Sequence, residues 1–296
     1  MNFRILKNKT AGGVMFFLTV MSLMLVFLMG MGLFLKSAPI FEEHTLGELL
    51  FSSNWKPLKG EFGFLPFLVG TLWVTGIAIV LSLPVALLTA IYLTEYGDRR
   101  VKKYVFPALD ILAGLPSVIY GVWGTLLIVP WISEILAPHF VEFSTGYTVL
   151  AGGIVLGVMI LPLLTSLFIE IFASVPGQLR ETSMSLGATR WQTIKKVVLR
   201  KTFPGILAAV ILAVSRAFGE TIAVLMVCGN MPHIPRSLFD AAYPLPALIA
   251  NNYGEMLSLP DYEAALMFAA LVLFVVILLF NLVSRSVLYR IEKSFT

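Results

Sequence analysis

Arg216 and Glu220 stand four residues apart in a stretch, Thr202 to about Met231, that is otherwise uncharged. On a helix, that spacing puts both on one face, where a guanidinium and a carboxylate can pair. Counted from Pro204 at about 1.5 Å per residue, Arg216 lies about 18 Å into the stretch. In a bilayer that is close to the middle, too deep for the side chain to reach water from either end. A charge there costs roughly 2.5–3.5 kcal/mol on insertion scales. The chemistry such a pair offers is reversible capture of an oxyanion. The planar fork of arginine matches tetrahedral oxyanions. Glu220 neutralises Arg216 when no anion is present and keeps the arginine from becoming a trap, because a conducted ion must leave as well as enter. Ser215 and Thr221 add hydroxyl donors beside the pair, and Gly219 adds room. The competing reading is a structural ion pair, but desolvation can cancel the Coulomb gain of buried pairs, which makes a purely stabilising purpose less attractive. A third charge in apolar surroundings, Asp110, falls about seven residues past Lys103. It is either hydrated near an interface or a gating residue.

Other chemistries lack their residues. There is no Gly-Lys dipeptide, hence no P-loop, and no Gly-x-Ser nucleophile elbow or His-Glu-x-x-His. The histidines His44, His139 and His233 are far apart, and Cys228 is the single cysteine, so neither a disulfide nor a multi-cysteine metal site can form within the chain. We expect no catalytic residues, no metal and no cofactor bound by this chain; any ATP and Mg belong to another subunit.

The elements that must hold these residues follow from composition. Of 296 residues, 58% are hydrophobic and 13% charged, against about 25% charged in soluble domains. The charges cluster, and long uncharged runs lie between them. A bilayer core needs roughly 20 apolar residues as a helix. Six runs qualify: Ala11–Leu35, Phe62–Thr94, Tyr104–Ser133 (interrupted by Asp110), Phe143–Ile169, Thr202 to about Met231, and Ala264–Ser284. No ten-residue alternation of a barrel is present, so these are helices. The class is all-α, multi-pass membrane protein. Gly153 and Gly157 give the fourth span a face for close packing.

Orientation follows from lysine and arginine. With the N-terminus in the cytoplasm, 16 basic residues fall inside, in the groups Arg4–Lys9, Arg99–Lys103, Arg180–Lys201 and Arg285–Lys293. Four fall outside: Lys36, Lys56, Lys59 and Arg236. Both termini are therefore expected in the cytoplasm. The first apolar run exceeds the 7–15 residues of a signal sequence and reads as an uncleaved anchor. The outside segments, with Glu42, Glu43, Glu48, Glu61, Asp240, Glu255, Asp261 and Glu263, are net negative and would repel a free anion, in keeping with delivery by a partner protein. The net charge of +4 is thus a topology signal, not a sign of nucleic acid.

The longest inside segment, about 170–203, begins a short helix at Val175-Pro176, runs from Gln178 to Leu186 and breaks at Gly187. A basic amphipathic run, Trp191 to Lys201, follows, with Trp191, Ile194, Val197 and Val198 on one face. The segment is either an interfacial helix pair lying on lipid or a docking element for a cytoplasmic partner.

The spacing of Glu181, Gly187 and Val197-x-Leu199 resembles the cytoplasmic loop signature of ABC importer permeases. Thr182-Ser183 stand where that signature has two alanines, and Arg200 where it has proline, with Pro204 four residues later. Leu186-Gly187-Ala188-Thr189-Arg190-Trp191 is similar to the phosphate permease form of the loop. So are Ser215 to Thr221, Leu112 to Gly121, and Ala90 to Tyr96. Trp55-Lys56-Pro57 with Gly70-Thr71-Leu72 resembles the PstC-type subunit more than the PstA-type.

The resemblance covers about residues 55–290. It implies a type I, MetI-like permease fold, with an anchor helix and outside loop over 1–61 and a permease domain over 62–296. It implies that Gln178, Leu179, Glu181, Leu186, Gly187, Ala188, Thr189 and Trp191 seat on an ATPase chain, and that Arg216 and Glu220 line the pathway. It further implies a second, PstA-like permease, two ATP-binding subunits and an extracytoplasmic phosphate-binding protein, in the cell membrane. Three alternatives stay open: a permease for another oxyanion, such as sulfate or molybdate, a stand-alone secondary transporter or channel, and a membrane scaffold or sensor without transport.

Overall fold

The computed structural model describes residues 2–254 and 260–295, with side chains over 10–254 and 260–286. Glu255 lies outside the described residues, as do the side chains of Arg4, Lys7, Lys9, Arg290 and Lys293. Helix α1 is Asn2–Ser37; short helices α2 (Ile40–Glu43) and α3 (Leu46–Phe51) follow, the latter capped by Thr45, whose hydroxyl accepts the Glu48 N–H. A two-stranded hairpin, β1 (Trp55–Lys56) and β2 (Glu61–Phe62), leads into α4 (Leu65–Ile91), which ends in a π turn, Tyr92–Tyr96. Then come α5 (Arg99–Gly114), α6 (Ser117–Trp123), α7 (Val149–Ala173), α8 (Gly177–Ser185), α9 (Arg190–Thr193) and α10 (Leu199–Phe218). The chain closes with α11 (Ile222–Val227), α12 (Leu245–Asn252) and α13 (Pro260–Phe295).

Six helical segments are long and apolar enough to span a membrane: Thr10–Ser37, Leu65–Tyr96, Ser117–His139, Val149–Ala173, Arg190–Phe218 and Pro260–Ser286. The number agrees with the sequence; the extents of the third and fifth spans do not. The third span does not begin near Tyr104. Pro116 disfavours a helical residue before it, and Leu115 is extended, at φ −68° and ψ 134°. The lysine-bearing segment before it becomes the separate helix α5, and α6 continues through π turns and a 3-10 turn to His139. Asp110 is exposed on α5, outside the spans.

The fifth span starts at Arg190 and stops at Phe218, whereas the uncharged run is Thr202 to about Met231. Its start is set by a capping box: Thr189 accepts the Gln192 N–H, and the Gln192 side chain accepts the Thr189 N–H. The basic run from Trp191 to Lys201 is thus the first part of this span, not a second interfacial helix. Of its expected apolar face, Ile194 and Val198 are buried, Val197 is half-buried, and Trp191 is exposed.

The core lies between α4 and α7. A Cβ at Gly153 would strike Ile77, one at Gly152 would strike Cys228 and one at Gly157 would meet the Ala78 carbonyl at 3.2 Å. Bare glycine backbone is what lets the two spans approach. Val74, Ala78, Val155, Leu156, Ile160 and Ala213 are buried in this cluster. A second cluster joins the N-terminal loop to the last helices: Ile40, Leu49, Phe64 and Phe67 pack with Tyr243, Leu245, Tyr262 and Phe268. Trp55 sits edge-on to Phe67 and Phe64, at centroid distances of 4.9 and 5.3 Å. Helix α1 leans on α13, where a Cβ at Gly30 would meet Phe274 at 2.9 Å. Most of the other apolar side chains described on it, from Val14 to Leu35, are exposed.

Candidate functional site

The fifth span breaks where its charges are. Helix α10 ends at Phe218 and α11 begins at Ile222, so Gly219, Glu220 and Thr221 form an unwound joint. Arg216 occupies the last turn of α10, where a cation complements the carbonyl end of the helix. It is exposed, while Ser215, Ala217 and Phe218 beside it are buried. Glu220 does not share its face. Because the helix stops two residues earlier, the four-residue spacing no longer fixes direction, and among the described ion pairs Arg216–Glu220 is absent. Glu220 is half-buried, and its Oε1 accepts the Ala223 N–H of α11 at 3.3 Å. An acidic side chain at that end of a helix satisfies a donor the helix cannot.

Both hydroxyls are turned inward. Ser215 Oγ donates to the Ile211 carbonyl at 3.0 Å, and Thr221 Oγ1 donates to the Gly219 carbonyl at 3.2 Å. The structure therefore gathers Arg216, Glu220 and Thr221 at one break, with no ion-pair partner for the guanidinium among the described residues and each of the other side chains committed to backbone. Two apolar grooves, of about 600 and 580 Å³, lie away from this break; one is lined by residues such as Trp73 and Leu150, the other by Phe34 and Leu271. No charged residue lines either of them, so neither suits an anion.

The stretch from Leu112 to Gly121 builds the wall behind the break. Tyr120 Oη reaches back across Pro116 to donate to the Leu112 carbonyl at 2.6 Å, tying α5 to α6. Gly121 lets α11 lie against α6: a Cβ there would meet Met226 Sδ at 2.5 Å and Ala223 Cα at 3.3 Å. Thr125 Oγ1 bridges the Gly121 and Met226 carbonyls at 3.0 and 3.3 Å. Tyr120 and Thr125 were not candidates from the sequence. A single hydroxyl in an apolar run carries too weak a signal.

Helix α8, between the fourth and fifth spans, has the expected form. Pro176 precedes its first turn, and Gly187, at φ +87°, ends it with its N–H on the Met184 carbonyl at 2.9 Å. Gln178, Leu179, Glu181, Leu186, Gly187, Thr189 and Trp191 are exposed and Ala188 is half-buried. Leu186 is 84% exposed and Trp191 53%, so the end of α8 and the start of α9 present large apolar groups that no described residue covers. Asp110 and this element are not brought together with Arg216 into one site. The residue that sequence reasoning missed here is Arg180, which was counted only as an inside charge. Its guanidinium bonds to Glu95, 85 positions away.

Residues 82–296 match the family described as binding-protein-dependent transport system inner membrane component. A probable ABC transporter permease protein YqgH of Bacillus subtilis (strain 168) is 42% identical over 240 residues, covering 80% of this chain and 76% of that protein. The phosphate transport system permease protein PstC of Mesorhizobium japonicum is 34% identical over 285 residues, covering 91% and 87%. The probable PstC of Methanocaldococcus jannaschii is 34% identical, covering 87% and 86%. Among solved structures, a bacterial ABC transporter that imports alginate aligns at a TM-score of 0.60 and 16% identity, covering 96% of this chain and 99% of its own. The MetNI methionine ABC transporter, in an inward-facing form, aligns at 0.54 and 20%, covering 79% and 94%. These likenesses fix the fold as the MetI-like importer permease fold. With six apolar helices, this multi-pass membrane protein belongs to the binding-protein-dependent transport system inner membrane component family, as an ABC importer permease of PstC type.

Proposed function

We propose that this chain is one of two permease subunits that form the pathway of an ATP-driven importer of inorganic phosphate. The observation that carries the substrate class is Arg216: an exposed guanidinium in the last turn of α10, at a helix break, with no ion-pair partner among the described residues. A cation exposed on the side of a span is poorly suited to hydrocarbon, so this face of α10 meets the pathway and a second permease. The fork then holds two oxygens of a tetrahedral anion. Glu220 acts from its place at the start of α11. It competes for Arg216 when the joint at Gly219–Thr221 rewinds, and so returns the anion to water. The exposed side of α8 and the turn into α9, with Gln178, Leu179, Glu181, Leu186, Gly187, Ala188, Thr189 and Trp191, seat on an ATP-binding subunit. A phosphate-binding protein docks outside, and both termini face the cytoplasm.

The test of substrate is uptake of labelled phosphate by the assembled transporter with its binding protein and ATP. Uptake is expected to need ATP and to persist under a hundredfold excess of sulfate or molybdate. Block by either competitor would move the assignment to that oxyanion. Uptake without ATP would make the chain a secondary transporter.

A further inference from the structure

The cytoplasmic end of the fold carries a second guanidinium that the pathway does not use. Arg180 lies on α8, the element offered to the ATPase. Its Nε and Nη2 both donate to Glu95 Oε1, at 3.0 and 2.9 Å. Its Nη1 donates to the Val175 carbonyl at 2.6 Å, and Nη2 also donates to the Phe172 carbonyl at 2.8 Å. The side chains are 20% exposed for Arg180 and 9% for Glu95. One rigid fork thus joins three elements: α8, the carbonyl end of α7 and the π turn that ends α4. Each partner is chemically suited to it. Helix carbonyl ends attract a cation, and Glu95 supplies the full counter-charge in a place with little water to weaken it.

Two contacts brace the joint. Ser183 and Thr193 hydroxyls lie 2.9 Å apart, linking α8 to the start of the fifth span. The Arg190 guanidinium stands 5.4 Å from the centroid of the Tyr96 ring, linking that start to the same π turn. Beyond the joint, α4 and α7 are pressed together along their glycine face. A displacement of α8 therefore has a stiff route into two spans. A flexible or solvated link would dissipate the same displacement in side-chain rotation.

We propose that Arg180 and Glu95 form the rigid joint through which α8 moves the second and fourth spans as one body, so that without it ATP is hydrolysed but the pathway does not switch. This rests on the importer reading above. Both are positioning residues, remote from the transported ion.

The experiment uses the complete transporter, with its second permease, ATPase chains and binding protein, carrying Arg180→Ala, Glu95→Ala or Glu95→Gln. The first readout is phosphate moved per ATP hydrolysed. Both alanine variants are expected to retain their ATPase chains and hydrolyse ATP within twofold of wild type, while the ratio falls at least tenfold. Glu95→Gln, which keeps an acceptor oxygen but no charge, is expected to fall between. The second readout needs no substrate: nucleotide-dependent maleimide labelling of a cysteine placed at Leu81, exposed on α4. Wild type should change its labelling rate when ATP and vanadate are added, and the alanine variants should not. An unchanged ratio and unchanged labelling would overturn the joint. Loss of the ATPase chains from the alanine variants would also overturn it, because the pair would then serve docking. A wild-type complex that labels in a nucleotide-dependent way but moves no phosphate would refute the substrate assignment alone, and its labelling would still decide the joint.

Discussion

Arg216 is exposed between buried neighbours and has no carboxylate partner among the described residues. If the fork matters as well as the charge, Arg216→Lys should keep an assembled complex yet lower phosphate uptake roughly tenfold, the equivalent of about 1.4 kcal/mol of barrier. Uptake at the wild-type rate would reduce the role of Arg216 to field shaping. Asp110 is exposed on α5, outside the spans and without an ion pair among the described residues. Asp110→Asn is therefore expected to keep at least half of wild-type uptake, and a loss beyond about tenfold would restore it as a gate. Cys228 is fully buried against Gly152, and burial pushes its thiol up, away from the reactive thiolate. It should resist maleimide in the folded chain and react only after denaturation. Rapid labelling in mild detergent would contradict the packing of α7 against the loop after α11.

Among the elements, the α4–α7 pair is the most sensitive to side-chain volume. Gly153→Val drives a branched side chain into Ile77, and overpacking of this kind costs about 1–3 kcal/mol. The detergent-solubilised complex should melt several degrees lower; an unchanged midpoint would mean that the two spans can part without loss. This contact was legible in the sequence, because Gly153 and Gly157 repeat at helical spacing in an apolar run. So were the six spans and the short helix before Gly187, which depend on long apolar stretches and on proline and glycine punctuation. The break after Phe218 was not. Residues Gly219, Glu220 and Thr221 are flanked by apolar residues on both sides, and hydropathy does not register three residues that leave a helix. The pairing of Arg216 with Glu220 failed for that reason. The Arg180–Glu95 bond was equally hidden, since nothing local in Ala90–Tyr96 or Gln178–Leu186 says that the two segments meet.

At the scale of the whole molecule, one chain offers a guanidinium on one span with no ion-pair partner among the described residues and exposed apolar side chains at α8, and the importer proposed above assigns both to contacts with other subunits. Removing Gln178 to Trp191 should leave a chain that inserts in the membrane but no longer co-purifies with an ATPase. Retention of the ATPase after that deletion would place docking elsewhere. The central claim is that ATP drives phosphate past Arg216. It is tested most directly by phosphate uptake of the complete transporter, with and without ATP on the ATPase side, for wild type and Arg216→Gln in parallel. The account predicts accumulation by wild type with ATP only, and none by Arg216→Gln, although the variant complex assembles and binds its ATPase chains. Uptake by Arg216→Gln at the wild-type rate, or uptake by wild type without ATP, would contradict it.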